Sequence, residues 1–180
     1  MDAAPWSRLK SEIYGLVWRN SRSNRRIVSI ARVEPEHVIL DIGCGPGAAV
    51  RNAATLAAKA VGVDRSEPMI EIARRRSRRL GNVEFLVAGA EALPFPDASF
   101  DRVWSVHAFH HWEDPEVGIE EAARVTRPGG RLLISEDESS GAHGMDREHA
   151  EKLADALVER GFAEATVEKR GRQLVVIAVR

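Results

Sequence analysis

The segment His37–Gly47, HVILDIGCGPG, constrains the chain more than any other. Three apolar residues, Val38, Ile39 and Leu40, run into an acid, Asp41, and glycine then returns at alternate positions, Gly43, Gly45 and Gly47. A short apolar run bounded by Gly and Pro predicts a buried parallel strand. Closely spaced glycines mark a place where backbone must come near something. The Ala-rich stretch Ala48–Ala58 predicts a helix. Strand, glycine turn and helix together open a nucleotide-binding α/β unit. That unit alone does not say which nucleotide.

The rest of the chain alternates in the same way. Residues 5–20 place Trp6, Leu9, Ile13, Leu16 and Val17 on one helical face, so this helix either covers a sheet edge or forms a lid over a site. A second short helix, about Asn24–Ala31, precedes the first strand. Ala60–Asp64 (AVGVD) predicts a second buried strand ending in an acid, followed by a helix capped at Ser66 and running to Leu80. Its outer face carries Arg74, Arg75, Arg78 and Arg79, read as solvated. Val83–Val87 and Asp101–Val106 are the third and fourth strands. Asp114-Pro115-Glu116 is a helix start, with a cap, a proline in the first turn and an acid near the dipole. Arg127-Pro128-Gly129-Gly130 is expected to break that helix before a fifth strand, Arg131–Ser135. Glu136–Asp146 reads as loop, and Arg147–Arg160 as a helix burying Ala150, Leu153, Ala154, Leu157 and Val158. Two last strands, near Ala163–Arg170 and Gln173–Val179, form a hairpin turning at Gly171, so one of them must pair antiparallel.

Composition closes off several classes. A length of 180 residues suits one domain. A net charge of −1 gives no reason to expect general attraction to nucleic acid or membrane surfaces. A single cysteine, Cys44, excludes an intramolecular disulfide framework and a multi-cysteine zinc site. No apolar run approaches the roughly 20 residues that span a bilayer, and the start MDAAPWSRLK lacks the apolar core of a signal peptide. The expectation is a cytoplasmic protein. His107, His110 and His111 cluster where the fourth strand ends, but without the i, i+4 spacing of a helical metal pair, so no metal is expected. Cys44 reads as a small buried residue rather than a nucleophile.

The motifs DIGCGPG, the acid Asp64, LPFPDASFD (Leu93–Asp101) and RVTRPGGRLLISE (Arg124–Glu136) follow one another in order. In that combination the chain resembles the class I S-adenosylmethionine-dependent methyltransferases, in particular their small-molecule (type 11-like) branch, from Val38 to about Ser135. The resemblance implies an α/β, Rossmann-like three-layer sandwich. Its seven-stranded, mostly parallel sheet would have the order 3-2-1-4-5-7-6, with strand 7 antiparallel. It implies S-adenosyl-L-methionine as cofactor and a small-molecule methyl acceptor as partner. Asp41, Gly43 and Gly45 would lie at the methionine end, together with the backbone of His107. Asp64 would accept both ribose hydroxyls, Arg65 and Met69 are placed by position to flank the adenine, and Ala90 would offer its N–H to a ring nitrogen. The chain departs from the family at Gly89, where an acid is usual; either Glu91 supplies that acceptor or no side chain does.

A dinucleotide reading competes, because Gly43-x-Gly45-x-x-Ala48 also fits the glycine fingerprint and Asp64 lies about 20 residues on. Asp41 argues against it. A carboxylate there would repel a pyrophosphate and attract the cationic amino group of a methionine moiety. The terminal hairpin also lacks the second βαβαβ half. The expected chemistry is transfer of the methyl group by in-line displacement, with alignment and desolvation as the protein's main contribution. A general base would be needed only where the acceptor loses a proton, and the candidates are His107 and His111, with Glu136 and Asp137 behind them. A non-catalytic S-adenosylmethionine-binding protein and an NAD-dependent oxidoreductase are the other readings. The expected organisation is one domain over 1–180, with residues 1–32 as a helical cap and 37–180 as the cofactor-binding core. The short segment after the fifth strand fits three outcomes: a bulky acceptor, a homodimer that completes the pocket, or a segment that closes only on binding.

Overall fold

The computed structural model describes residues 22–139 and 144–180. The helix expected over 5–20 lies outside them. The described elements are α1 (Arg22–Ile30), β1 (Val38–Ile42), α2 (Ala48–Ala53), β2 (Lys59–Asp64), α3 (Glu67–Ser77), β3 (Val83–Val87), β4 (Phe100–Val106), a 3-10 turn (Phe109–His111), α4 (Pro115–Val125), β5 (Thr126–Asp137), α5 (Arg147–Glu159), β6 (Glu164–Arg170) and β7 (Gln173–Val179).

Alternation along the strands sorts their side chains between two cores. Leu40, Ile42, Val61, Val63, Val103, Leu132, Ile134 and Val176 face α4 and α5, which bring Ile119, Ala122, Leu153 and Leu157 to them. Ile39, Ala60, Trp104, Leu133 and Val175 face α1, α2 and α3, which contribute Ile27, Val50 and Ile70. With helices on both faces, the buried middles of the central strands are apolar runs, Val38–Leu40, Ala60–Val63 and Leu132–Ile134, as a buried parallel sheet requires. The sheet has seven strands in the order β3-β2-β1-β4-β5-β7-β6. β1 pairs parallel with β2 and β4, whereas β7 is antiparallel to both β5 and β6. The strand order reverses direction between β1 and β4, which makes the carboxyl ends of these two strands the ligand crevice of an open α/β sheet.

Several boundaries differ from expectation, each for a physical reason. α2 ends at Ala53, and residues 54–58 form turns; Asn82 Nδ2 accounts for the orphan carbonyls there by donating to Ala54 O (2.9 Å) and Ala57 O (3.1 Å). The sequence Arg127-Pro128-Gly129-Gly130 does not separate helix from strand. It lies inside β5 as a bulge, where the pairing jumps from Phe100↔Thr126 to Arg102↔Arg131. β5 also runs on through Glu136 and Asp137, which were expected in a loop, because β7 continues to pair with them. Ser66 caps α3 by position without a side-chain hydrogen bond, and α3 ends at Ser77, short of Leu80. Val158 is exposed rather than buried. No helix among the described residues is long and apolar enough to cross a membrane.

Candidate functional site

The carboxyl ends of β1, β2, β3 and β4 enclose a cavity of about 760 Å³, within the range of small-molecule sites, about 300–1,000 Å³. Its floor is the glycine turn. Gly43 and Cys44 both donate to Val63 O, at 2.8 and 2.9 Å, which ties the turn to the end of β2. Gly43 has φ 75°, and a Cβ on it would fall onto the Cβ of Ala108. Only glycine brings the β1 turn and the β4 end this close together.

Asp64 stands at the rim and lines the cavity. Its Oδ2 accepts from Gly45 N–H (2.8 Å) and its Oδ1 from Ser66 N–H (2.9 Å). Each oxygen keeps a second lone pair for a ligand hydroxyl. Burial raises its pKa, against the pull of these two N–H groups and of Arg65.

Asp41 is placed differently. It is 2% exposed and does not line the cavity. It lies just beneath, in register with Gly62 of β2 and Trp104 of β4. Burial, reinforced by the charge of Asp64, pushes its carboxyl up to about 8, and the Trp104 indole draws it partly back. No cation among the described residues pairs with it. Burial also raises the Cys44 thiol well above its usual value, and Asp41 and Asp64 add to the shift. The thiol therefore stays protonated and is no nucleophile.

Beyond β3 the wall is Ala88, Gly89, Ala90 and Glu91, with Ala88 N–H on Asp64 O at 3.1 Å. Arg65 also borders the cavity, and its exposed side chain is paired with Glu113. On the far side, His107 follows β4 directly with φ 53°, a conformation a residue with a Cβ rarely adopts. Its N–H bonds Ser135 O (2.9 Å), and its Nε2 lies 3.1 Å from Ser23 Oγ and 3.0 Å from Gln173 Nε2. His110 does not line the cavity. Its Nδ1 is 2.9 Å from Oε2 of Glu136, whose Oε1 accepts from Phe109 N–H (2.8 Å). The Glu136 hydrogen bond raises the His110 pKa, against a smaller effect of burial. His111 is exposed on the cavity wall beside Trp112, with its ring 4.0 Å from that of His110.

The structure thus brings Gly43, Gly45, Asp64, Arg65, Ala90, Glu91, His107 and His111 onto one cavity and leaves Asp41 just under its floor. The two long motifs have structural work outside it. Arg124 holds the LPFPDASFD loop through Phe95 O (2.7 Å), Leu93 O (3.1 Å) and Asp97 (2.9 Å). Arg127 grips both oxygens of Asp101, which also accepts Val38 N–H at 2.7 Å. Ser23 and Gln173 went unnoticed in the sequence, since nothing local signals that either meets His107. Glu136 carried a signal, an acid at a strand end, but its role is to hold the 109–110 turn. Glu34, Glu36 and His37 come within ligating distance of one another at the opposite, amino end of β1. Glu34 N–H donates to His37 Nδ1 (2.9 Å), which occupies that lone pair and leaves the proton of a neutral ring on Nε2. The cluster therefore closes a turn.

Comparison with known proteins agrees with this geometry. Residues 40–134, more than half of the chain, match the family described as "Methyltransferase domain". A demethylmenaquinone methyltransferase of Thermus thermophilus is 40% identical over 133 residues, covering 72% of this chain and 58% of that protein. A solved structure described as a putative S-adenosyl-L-methionine-dependent methyltransferase from Methanococcus maripaludis superposes with a TM-score of 0.82. It covers 99% of this chain and 95% of its own, at 17% identity. The 1,6-didemethyltoxoflavin-N1-methyltransferase of Burkholderia thailandensis, solved with S-adenosylhomocysteine, gives a TM-score of 0.73 at 22% identity, covering 100% and 92% of the two chains. The chain belongs to the class I S-adenosylmethionine-dependent methyltransferase family. It spans about half the length of the curated relatives it matches.

Proposed function

We propose that this domain transfers the methyl group of S-adenosylmethionine to a small-molecule acceptor. The observation that carries the reading is the pair of acids at the switch point. Asp64 is held open to the cavity for the ribose hydroxyls, and Asp41 is buried beneath it without a cation to neutralise it. The donor's amino group would supply that cation and favour the ionised form of Asp41. The donor brings the electrophilic methyl group itself. The chain's own contribution is to align donor and acceptor and exclude water, worth roughly 7–11 kcal/mol of barrier when complete. Gly43 and Gly45 let the backbone approach the methionine end, and Ala90 offers its N–H to the base. His107 and His111 line the cavity; His111 would accept a proton where the acceptor must lose one, whereas the Nε2 lone pair of His107 already accepts from the Gln173 amide. α1 bounds the cavity at Asn24 and reaches His107 through Ser23, which supports a capping role for the described part of the amino-terminal segment, residues 22–32. The relatives' printed names, a 27-O-demethylrifamycin SV methyltransferase and demethylmenaquinone methyltransferases, favour a small organic acceptor over a macromolecule.

The test is transfer of labelled methyl from S-adenosylmethionine into pools of small aromatic and polyketide-like acceptors. Label in any product supports an enzyme. Tight S-adenosylhomocysteine binding without transfer to any pool would instead favour a binding protein.

A further inference from the structure

The cavity is a cleft between the ends of the two cores. One wall is the end of β2 and the first turn of α3, Asp64–Met69, and α3 packs Ile70 and Ala73 into the core shared with α1 and α2. The other wall includes Ala90 and Trp112, which belong to the core of α4 and α5. Across the cleft the Arg65 guanidinium meets the Glu113 carboxylate. Arg65 follows β2 and Glu113 follows β4, two strands that are not neighbours. β1 stands between them, and its glycine turn is the cavity floor. A bond from Arg65 to Glu113 therefore passes over that floor.

Both partners stand on backbone that is held fast. Ser66 N–H donates to Asp64 Oδ1 at 2.9 Å, which fixes the chain on either side of Arg65. Glu91 Oε1 accepts from Glu113 N–H at 2.7 Å and from Asp114 N–H at 3.3 Å, and Asp114 in turn caps α4. The two side chains themselves are 59% and 65% exposed. They can swing apart into solvent while both backbones stay in place.

We infer that the Arg65–Glu113 pair is a strap across the mouth of the cavity, closed before the donor arrives, which must part each time the donor enters or its demethylated product leaves; the inference rests on the proposed seating of the donor in this cavity. An exposed ion pair is weak and is screened by salt, and exposed side chains change rotamer within nanoseconds. A strap of this kind does not alter how tightly a ligand is held once inside. It slows entry and exit alike, in proportion to the fraction of time the mouth is open, so Kd stays the same. Exit matters as much as entry, because product release limits turnover in many enzymes.

The experiment is surface plasmon resonance of the immobilised full chain with S-adenosylhomocysteine. Glu113→Gln keeps the side chain's size and the backbone bond to Glu91 and removes the charge. It should raise the association and dissociation rates together by roughly two- to sixfold and leave Kd unchanged. Raising salt from about 0.02 M to about 0.5 M should speed both rates in the wild type and neither in the variant. Glu116→Gln removes an acid from the same helix start that pairs with Arg160 instead, and should change neither rate. If Glu113→Gln changes neither rate, the pair is a surface contact and the inference is overturned. If it speeds dissociation alone and weakens Kd, the pair clamps a bound donor rather than barring the mouth, and the inference is overturned as well. If Glu116→Gln matches it, overall charge is the cause and the strap is not. A wild type that does not bind S-adenosylhomocysteine overturns the seating of the donor itself, a separate failure.

Discussion

The two halves of the cavity are built by different means. The half formed by β1, β2 and β3 is made of backbone. Gly43 and Cys44 N–H meet Val63 O, and Gly45 and Ser66 N–H meet Asp64, all within one strand–turn–helix and the next strand. The half formed by the end of β4 is held from behind, from β5, β7 and α1, by side chains brought from far apart: His110 with Glu136 across 26 positions, His107 with Gln173 across 66 and with Ser23 across 84. Backbone geometry accepts few residues at each position, so the first half should tolerate little. Side-chain networks allow substitution where shape and polarity are kept, so the second half should tolerate more.

The largest effect expected from breaking the first half is at Gly43. Gly43→Val would force a branched residue into positive φ and onto Ala108, costing about 2–5 kcal/mol of stability and abolishing S-adenosylhomocysteine binding, as denaturant unfolding and calorimetry would report. Asp64→Ala is next. Ligand at about 100 times its Kd adds roughly 2.7 kcal/mol to a competent site, and the variant should lose most of that gain; retention of the gain would remove Asp64 from the ribose.

Asp41→Asn separates stability from binding. The folded chain keeps the Asp41 proton up to about pH 8, whereas the unfolded chain, with a carboxyl near 3.8, releases it earlier. Between these values the folded state binds more protons, so stability of the ligand-free protein falls as pH rises. The Asn variant should lose that slope, melt higher than wild type at pH 8 without ligand, and gain less from S-adenosylhomocysteine. Melting curves from pH 5 to 8.5 would test all three.

The smallest change expected at the donor site comes from the other half. Glu136 raises the pKa of His110 in the folded state. The stability this pairing contributes is therefore full below the unfolded histidine value and is lost as pH rises through the raised one. Glu136→Gln should cost about 1–3 kcal/mol at pH 5.5 and less at pH 8, while the donor's affinity stays within about twofold. A large loss of donor binding in that variant would mean that the two halves are not separate.

The same division explains what was legible in the sequence. Gly43, Gly45 and Asp64 declare themselves because a turn and a strand end need those residue types at that spacing. The sheet order followed from the motifs that resemble a known family, and the hairpin at Gly171 from local pattern. Arg127–Gly130 misled because Pro and Gly usually end elements, whereas here Asp101 and Arg127 hold them inside a bulge of β5. Glu136 looked like a loop residue because its partner strand, β7, lies nearly forty positions away in sequence. Gln173 gave no signal at all, since its contact with His107 exists only once β7 has inserted beside β5.

The most direct test of the donor site is thermal unfolding of the full chain alone, with S-adenosylhomocysteine and with NAD, each at about 100 times the expected Kd. A rise of several degrees with S-adenosylhomocysteine and none with NAD is the predicted result, for a gain of roughly 2.7 kcal/mol in a domain of this size. A rise with NAD alone would contradict the assignment of the cavity.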